Sequence, residues 1–100
     1  MSKAPQDTAK PRTRAIGLTV KYLVSLAEKV GCKEEKLSLP EGATLADLAA
    51  WLEARRGIKV PDPGIIAVLN GKGWMQHPSK LETRLRDGDM VLLFPPISGG

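Results

Sequence analysis

The sequence is short of several features that would narrow its chemistry at once. It has one cysteine, Cys32, so no disulfide can close within the chain, which fits a reducing compartment. Cys32 also has no neighbouring cysteine or histidine in sequence and reads as a bystander, not a nucleophile. The one histidine, His77, sits in a His-Pro turn setting with no second ligand near it, and is expected to be a surface or capping residue. Four aromatic residues, Tyr22, Trp51, Trp74 and Phe94, are too few and too scattered for the aromatic-and-basic stripe that grips single-stranded nucleic acid. No apolar run approaches bilayer length and the amino terminus lacks the apolar core of a secretory leader, so a cytoplasmic protein with no membrane partner is expected. There is also no Ser/His/Asp set, phosphate-binding glycine loop or metal-ligand cluster. None of these familiar arrangements for catalysis or cofactor binding can be read in the chain.

The net charge of +4 is unevenly spread. Residues 1–14 hold Lys3, Lys10, Arg12 and Arg14 against Asp7, a net +3, and the remainder is nearly neutral. Together with Pro5, Pro11 and the absence of apolar periodicity, this predicts a disordered basic arm over 1–14 and gives no ground for a nucleic-acid partner. The 86 residues that follow suit one small domain with a modest core.

From Ala15 the pattern becomes periodic. Ile16, Leu18, Val20 and Tyr22 alternate with Gly17, Thr19 and Lys21, as in a half-buried strand. Ser25 and Glu28 suggest a capping box opening a short helix that Gly31 ends. Lys36–Leu39 alternates again and should pair back on the first strand. Thr44, with Asp47 three residues on, predicts the start of the main helix. Leu45, Leu48, Ala49 and Leu52 give it an apolar face with Trp51 packing nearby, and Arg55, Arg56 and Gly57 close it. Pro61–Gly64 is a loop. Ile65–Leu69 is a continuous apolar run, expected to be a strand buried on both faces, and Asn70-Gly71 is a hairpin turn returning through a short strand around Trp74–Gln76. Leu81 and Leu85 bracket a short helical turn, Asp87-Gly88-Asp89 is another turn, and Met90–Phe94 is the last strand. Two hairpin-like halves flanking one helix make an α+β fold of the β-grasp layout, a mixed sheet of about five strands over residues 15–94. Its first and last strands should pair centrally and its tail should leave at a corner of the sheet edge.

The tail is where the chemistry points. Pro95-Pro96 cannot extend a ladder, so Phe94 should end the strand and residues 95–100 should project as an extended stem. Gly99-Gly100 presents a carboxylate with no side chain beside it, which an enzyme can thread down a narrow channel. Phe94 fits either the core or a docking patch, and alternation does not separate the two.

Asp87-Gly88-Asp89, the apolar strand after it and Phe94-Pro95-Pro96-Ile97-Ser98-Gly99-Gly100 together resemble the carboxy-terminal signature of the small subunit of molybdopterin synthase, the MoaD type. The same ending is similar to that of archaeal ubiquitin-like small modifiers. The resemblance covers about residues 15–100 and is strongest over 65–100; thiamine-pathway carriers typically lack the Phe-Pro-Pro stretch and fit less well. It implies a sulfur carrier that is a protein substrate, expected to bind no cofactor and to carry no catalytic machinery of its own. A MoeB-like adenylyltransferase of the ubiquitin-activating class would use ATP to adenylate Gly100, and a sulfur donor would convert it to a thiocarboxylate. The large, MoaE-type synthase subunit would then take the tail and pass sulfur to the molybdopterin precursor. Phe94, Pro95, Pro96, Ile97, Ser98 and Gly99 would bind these partners. The alternative is a ubiquitin-like modifier joined through Gly100 to target lysines, or a protein with both roles.

Overall fold

The computed structural model describes residues 14–96. Its elements are β1 (Ala15–Tyr22), α1 (Ser25–Val30), β2 (Glu34–Pro40), α2 (Leu45–Arg56), β3 (Ile66–Leu69), β4 (Lys72–Gly73) and β5 (Met90–Phe94), with short 3₁₀ turns at Trp74–Gln76 and Lys80–Glu82. The expectation for the basic arm falls outside the described residues except at Arg14, which is exposed and whose carbonyl accepts the Glu41 N–H at 2.7 Å.

The strands form one sheet in the order β2-β1-β5-β3-β4. β1 runs antiparallel to β2 and parallel to β5, while β3 runs antiparallel to both β5 and β4. The expected central pairing of first and last strands is present. The tail position is corrected by it: β5 lies in the middle of the sheet, so the chain leaves from a central strand and not from an edge.

One face of the sheet is covered. The period-2 alternation of β1 puts Leu18, Val20 and Tyr22 inside at 1% exposure or less, and in β5 it does the same for Val91 and Leu93. Leu45, Leu48 and Leu52, spaced to share one side of α2, are fully buried in the same cluster. Thr44 caps that helix as expected, its Oγ1 accepting the Asp47 N–H while Asp47 Oδ2 accepts the Thr44 N–H. Gly57 closes α2 at φ 68°, a torsion that favours a residue without Cβ.

Three local expectations are corrected. Ser25 does not cap α1: the N-cap position is Val24 at φ 58°, with no side-chain cap bond, and Ser25 is already the first helical residue. β3 is not buried on both faces. Leu69 is buried, Ile66 is 38% exposed and Ala67 and Val68 are half-buried, because helix covers only one side of the sheet and β4 is two residues long. The return strand is Lys72–Gly73, and Trp74–Gln76 is a 3₁₀ turn, tightened by Gln76 Oε1 accepting the Gly73 N–H and placing Trp74 in the core. The Asn70-Gly71 turn itself is as expected, with φ of 51° and 86°. His77 also behaves as a capping residue, its half-buried Nε2 lying 3.2 Å from the Leu69 carbonyl oxygen.

Candidate functional site

The two ends of β5 do different work. At its start, Asp87-Gly88-Asp89 and Asn70 interlock. Asp87 Oδ1 accepts the Gly17 N–H at 2.7 Å, the Gly88 N–H donates to the Gly17 carbonyl, and Asp89 accepts from Arg86 N–H and from Asn70 Nδ2. Asn70 Oδ1 in turn accepts the Met90 N–H. The two turn motifs therefore fix the register of β5 between β1 and β3, at the end far from the tail.

At the other end, Tyr22 pairs with Leu93 and Ile66 with Phe94, and the Leu23 N–H donates to the Leu93 carbonyl at 2.9 Å. Phe94 is the last strand residue; Pro95 is half-buried and Pro96 exposed. Ile97, Ser98, Gly99 and Gly100 lie outside the described residues.

The uncovered face of the sheet adjoins this exit. Because Val91 and Leu93 point to the core, Met90, Leu92 and Phe94 lie on the other face, and the register of β3 sets Val68 beside Leu92 and Ile66 beside Phe94. Met90 is 40% exposed, and Leu92 and Phe94 are half-buried. Phe94 thus belongs to an apolar stripe on the open face, next in the chain to Pro95. Thr19, Lys21, Lys36 and Ser38 border it on β1 and β2, with Lys21 within 3.9 Å of Glu34. A partly exposed apolar stripe with polar neighbours is a candidate protein-docking surface.

Behind the exit, one polar cluster ties three elements together. The Tyr22 hydroxyl donates to Glu35 Oε2, and Arg56 donates to both Glu35 oxygens, through Nε to Oε2 at 2.8 Å. Arg56 also stands 5.1 Å from the centre of the Trp51 ring, a cation–π contact. Burial, with Glu35 beside it, raises the Tyr22 hydroxyl above its ordinary value, and the Arg56 hydrogen bonds hold Glu35 below the usual 4.5. Such a fully paired cluster braces the strand end from which the tail leaves.

A groove of about 400 Å³ lies elsewhere, lined mostly by apolar side chains including Val60, Pro61 and Trp74. Its carboxylate, Asp62, already accepts the Gly64 N–H through Oδ2. Among the described residues no group of three His, Cys, Asp or Glu side chains is placed to hold a metal ion, and no helix is long and apolar enough to cross a membrane. Sequence reasoning did not name Ile66, Val68, Met90 or Leu92. Their signal was that Ile65–Leu69 and Met90–Phe94 are apolar at both parities, which a sheet covered on one side must partly expose.

Known proteins bear on what this geometry serves. The chain is 31% identical over 91 residues to small archaeal modifier protein 3 of Haloferax volcanii, a match covering 83% of this chain and 98% of the relative. Small archaeal modifier protein 1 of Methanosarcina acetivorans superposes with a TM-score of 0.65 at 26% identity, covering 87% of this chain and 99% of that one. A chain in the complex of subunits 1 and 2 of molybdopterin-converting factor from Helicobacter pylori superposes with a TM-score of 0.56 at 27% identity, covering 85% and 100%. The ubiquitin-like β-grasp fold is common to these relatives. Over residues 20–100 the sequence matches the family model described as ThiS, and the chain belongs to the ThiS family of ubiquitin-like β-grasp proteins.

Proposed function

We propose that this chain is a sulfur carrier whose reactive group is the Gly100 carboxylate, and that it serves molybdopterin biosynthesis in the cytoplasm as the small subunit of the synthase. A carboxylate is a poor acyl donor because its leaving group would be oxide. Attack of the Gly100 oxygen on the α-phosphorus of ATP, with loss of pyrophosphate, makes an acyl adenylate whose leaving group is AMP. A sulfur nucleophile then forms the C–S bond as the C–O bond to AMP breaks, giving a thiocarboxylate. The adenylating enzyme and the synthase large subunit supply the catalytic groups and use the ATP; this chain supplies Gly100, the glycine stem and a docking surface.

The observation that carries the reading is the apolar open face formed by Ile66, Val68, Met90, Leu92 and Phe94, the last of them next in the chain to the Pro95-Pro96 stem that leads to Gly99-Gly100. A partner seated there receives the tail at the same time. The family match and the likeness to a chain of the two-subunit converting factor support the same assignment.

A second reading has its own support in the 31% identity to an archaeal modifier protein. In it a lysine Nζ displaces the activated leaving group and an isopeptide bond forms. Both readings share the activation step, and one experiment tests it. Incubation with ATP and the cell's ubiquitin-activating-type adenylating enzyme should add AMP to the intact chain and not to a variant with one residue appended after Gly100. Equal adenylation of the two would overturn both readings.

A further inference from the structure

One strained residue stands beside the exit of the tail. Val24 has φ 58° and ψ −130°, and the Leu26 N–H donates to the Leu23 carbonyl at 3.2 Å, so Leu23–Leu26 forms a turn of type II′ geometry with Val24 at its first central position. That position is dominated by glycine, and a β-branched side chain is among the worst choices for it. Val24 is also the N-cap of α1, where it makes no side-chain bond to the orphan amides, and it is 75% exposed. Three local preferences are violated together, and with Val24 75% exposed, packing among the described residues offsets none of them. Unfavourable torsions at exposed apolar side chains persist where contact with another molecule gives them a use.

The location indicates which molecule. The Leu23–Leu93 hydrogen bond places Val24 and Phe94 one residue beyond its two ends, so Val24 flanks the root of the stem. Four residues, 97–100, lie beyond Pro96 and reach at most about 14 Å. An enzyme holding Gly100 at its reaction centre must therefore bring its own surface close to this root. Leu23, 38% exposed, extends the apolar surface here beside the open-face stripe.

We infer that Val24 is a docking knob for the adenylating enzyme, entering an apolar pocket beside the mouth of that enzyme's tail channel. The inference rests on the tail-activation reading and is independent of whether sulfur or lysine receives the glycyl group. The turn holds the side chain outward in one orientation, so little freedom is lost when it docks.

Steady-state adenylation, followed as ATP–pyrophosphate exchange with the chain as varied substrate, separates the possibilities. Val24→Gly should melt at or above the wild-type temperature, because glycine adopts the torsion freely. Its KM should rise about tenfold or more, the loss expected for one buried valine, with kcat within about twofold. Val24→Thr keeps the β-branched shape and the torsion but replaces one γ-methyl with a hydroxyl, so its KM should rise in the same direction. Wild-type KM in both variants overturns the inference while leaving tail activation intact. Should Val24→Gly lose stability, Val24→Thr decides alone: a raised KM sustains the knob and an unchanged one removes it. Absence of exchange with the wild-type chain overturns the activation reading, and this inference with it.

Discussion

Replacing Glu35 by alanine isolates the clamp behind the tail. Glu35 accepts from the Tyr22 hydroxyl and from two Arg56 nitrogens, and Tyr22 is 1% exposed. Without the carboxylate the buried hydroxyl proton has no acceptor, which costs about 1–3 kcal/mol. The Arg56 side chain is 32% exposed, so solvent screening leaves its ion pair a minor part of the loss. The expected loss is about 1–3 kcal/mol, or roughly 4–24 °C in Tm for a domain of this size. Tyr22→Phe in the wild-type background should cost about 1 kcal/mol, since one hydrogen bond is lost while Glu35 keeps Arg56. In the Glu35→Ala background the same change should be neutral or stabilising, because it removes a hydroxyl that already lacks an acceptor. Urea unfolding of the four proteins measures the cycle. A Glu35→Ala loss below about 0.5 kcal/mol, or an equal Tyr22→Phe cost in both backgrounds, would refute the assignment of the clamp.

Other consequences follow from the same structure. Glu35 has a folded-state pKa below 4.5, so its stabilisation is present above that pH and is lost as pH falls through the folded value. Tm should therefore decline in acid below about pH 4.5, and Glu35→Gln should flatten that part of the curve when Tm is followed by circular dichroism. Thr44→Ala removes the Oγ1 that caps α2 and should cost about 1 kcal/mol in urea unfolding, with Asp47→Ala in the same direction. Leu92→Glu places a charge at the centre of the open face, where Val91 and Leu93 still fill the core. It should change stability by no more than about 1 kcal/mol yet abolish capture by the synthase large subunit in a binding assay, and retained binding would show that the face does not dock.

The fold was legible where side-chain chemistry is local. Alternation located β1, the Thr44/Asp47 pair and Gly57 bounded α2, and Asn70-Gly71 gave its hairpin, because each depends on residues within a few positions. Ser25 misled because an N-cap is defined by backbone torsion: Val24 takes the cap position, and a valine at positive φ is not expected from propensity. The face assignment of Phe94 needed the register with Ile66, a contact across 28 positions of sequence that no local pattern contains. Likewise, Asp87-Gly88-Asp89 carried the family resemblance, but only the sheet order shows that it braces the far end of β5. The proposed chemistry of the tail rests on Gly99-Gly100 and its sequence context, whereas the apolar stripe on the open face became visible once β3 and β5 were paired.

Mass spectrometry of the carboxy-terminal peptide, from amino-terminally tagged protein recovered from its native cells, tests the central claim most directly. The account predicts a Gly100 in which one carboxylate oxygen is replaced by sulfur; Gly100 joined to lysine side chains would instead assign the modifier role. An unmodified Gly100 carboxylate in cells that require the pterin cofactor would contradict it.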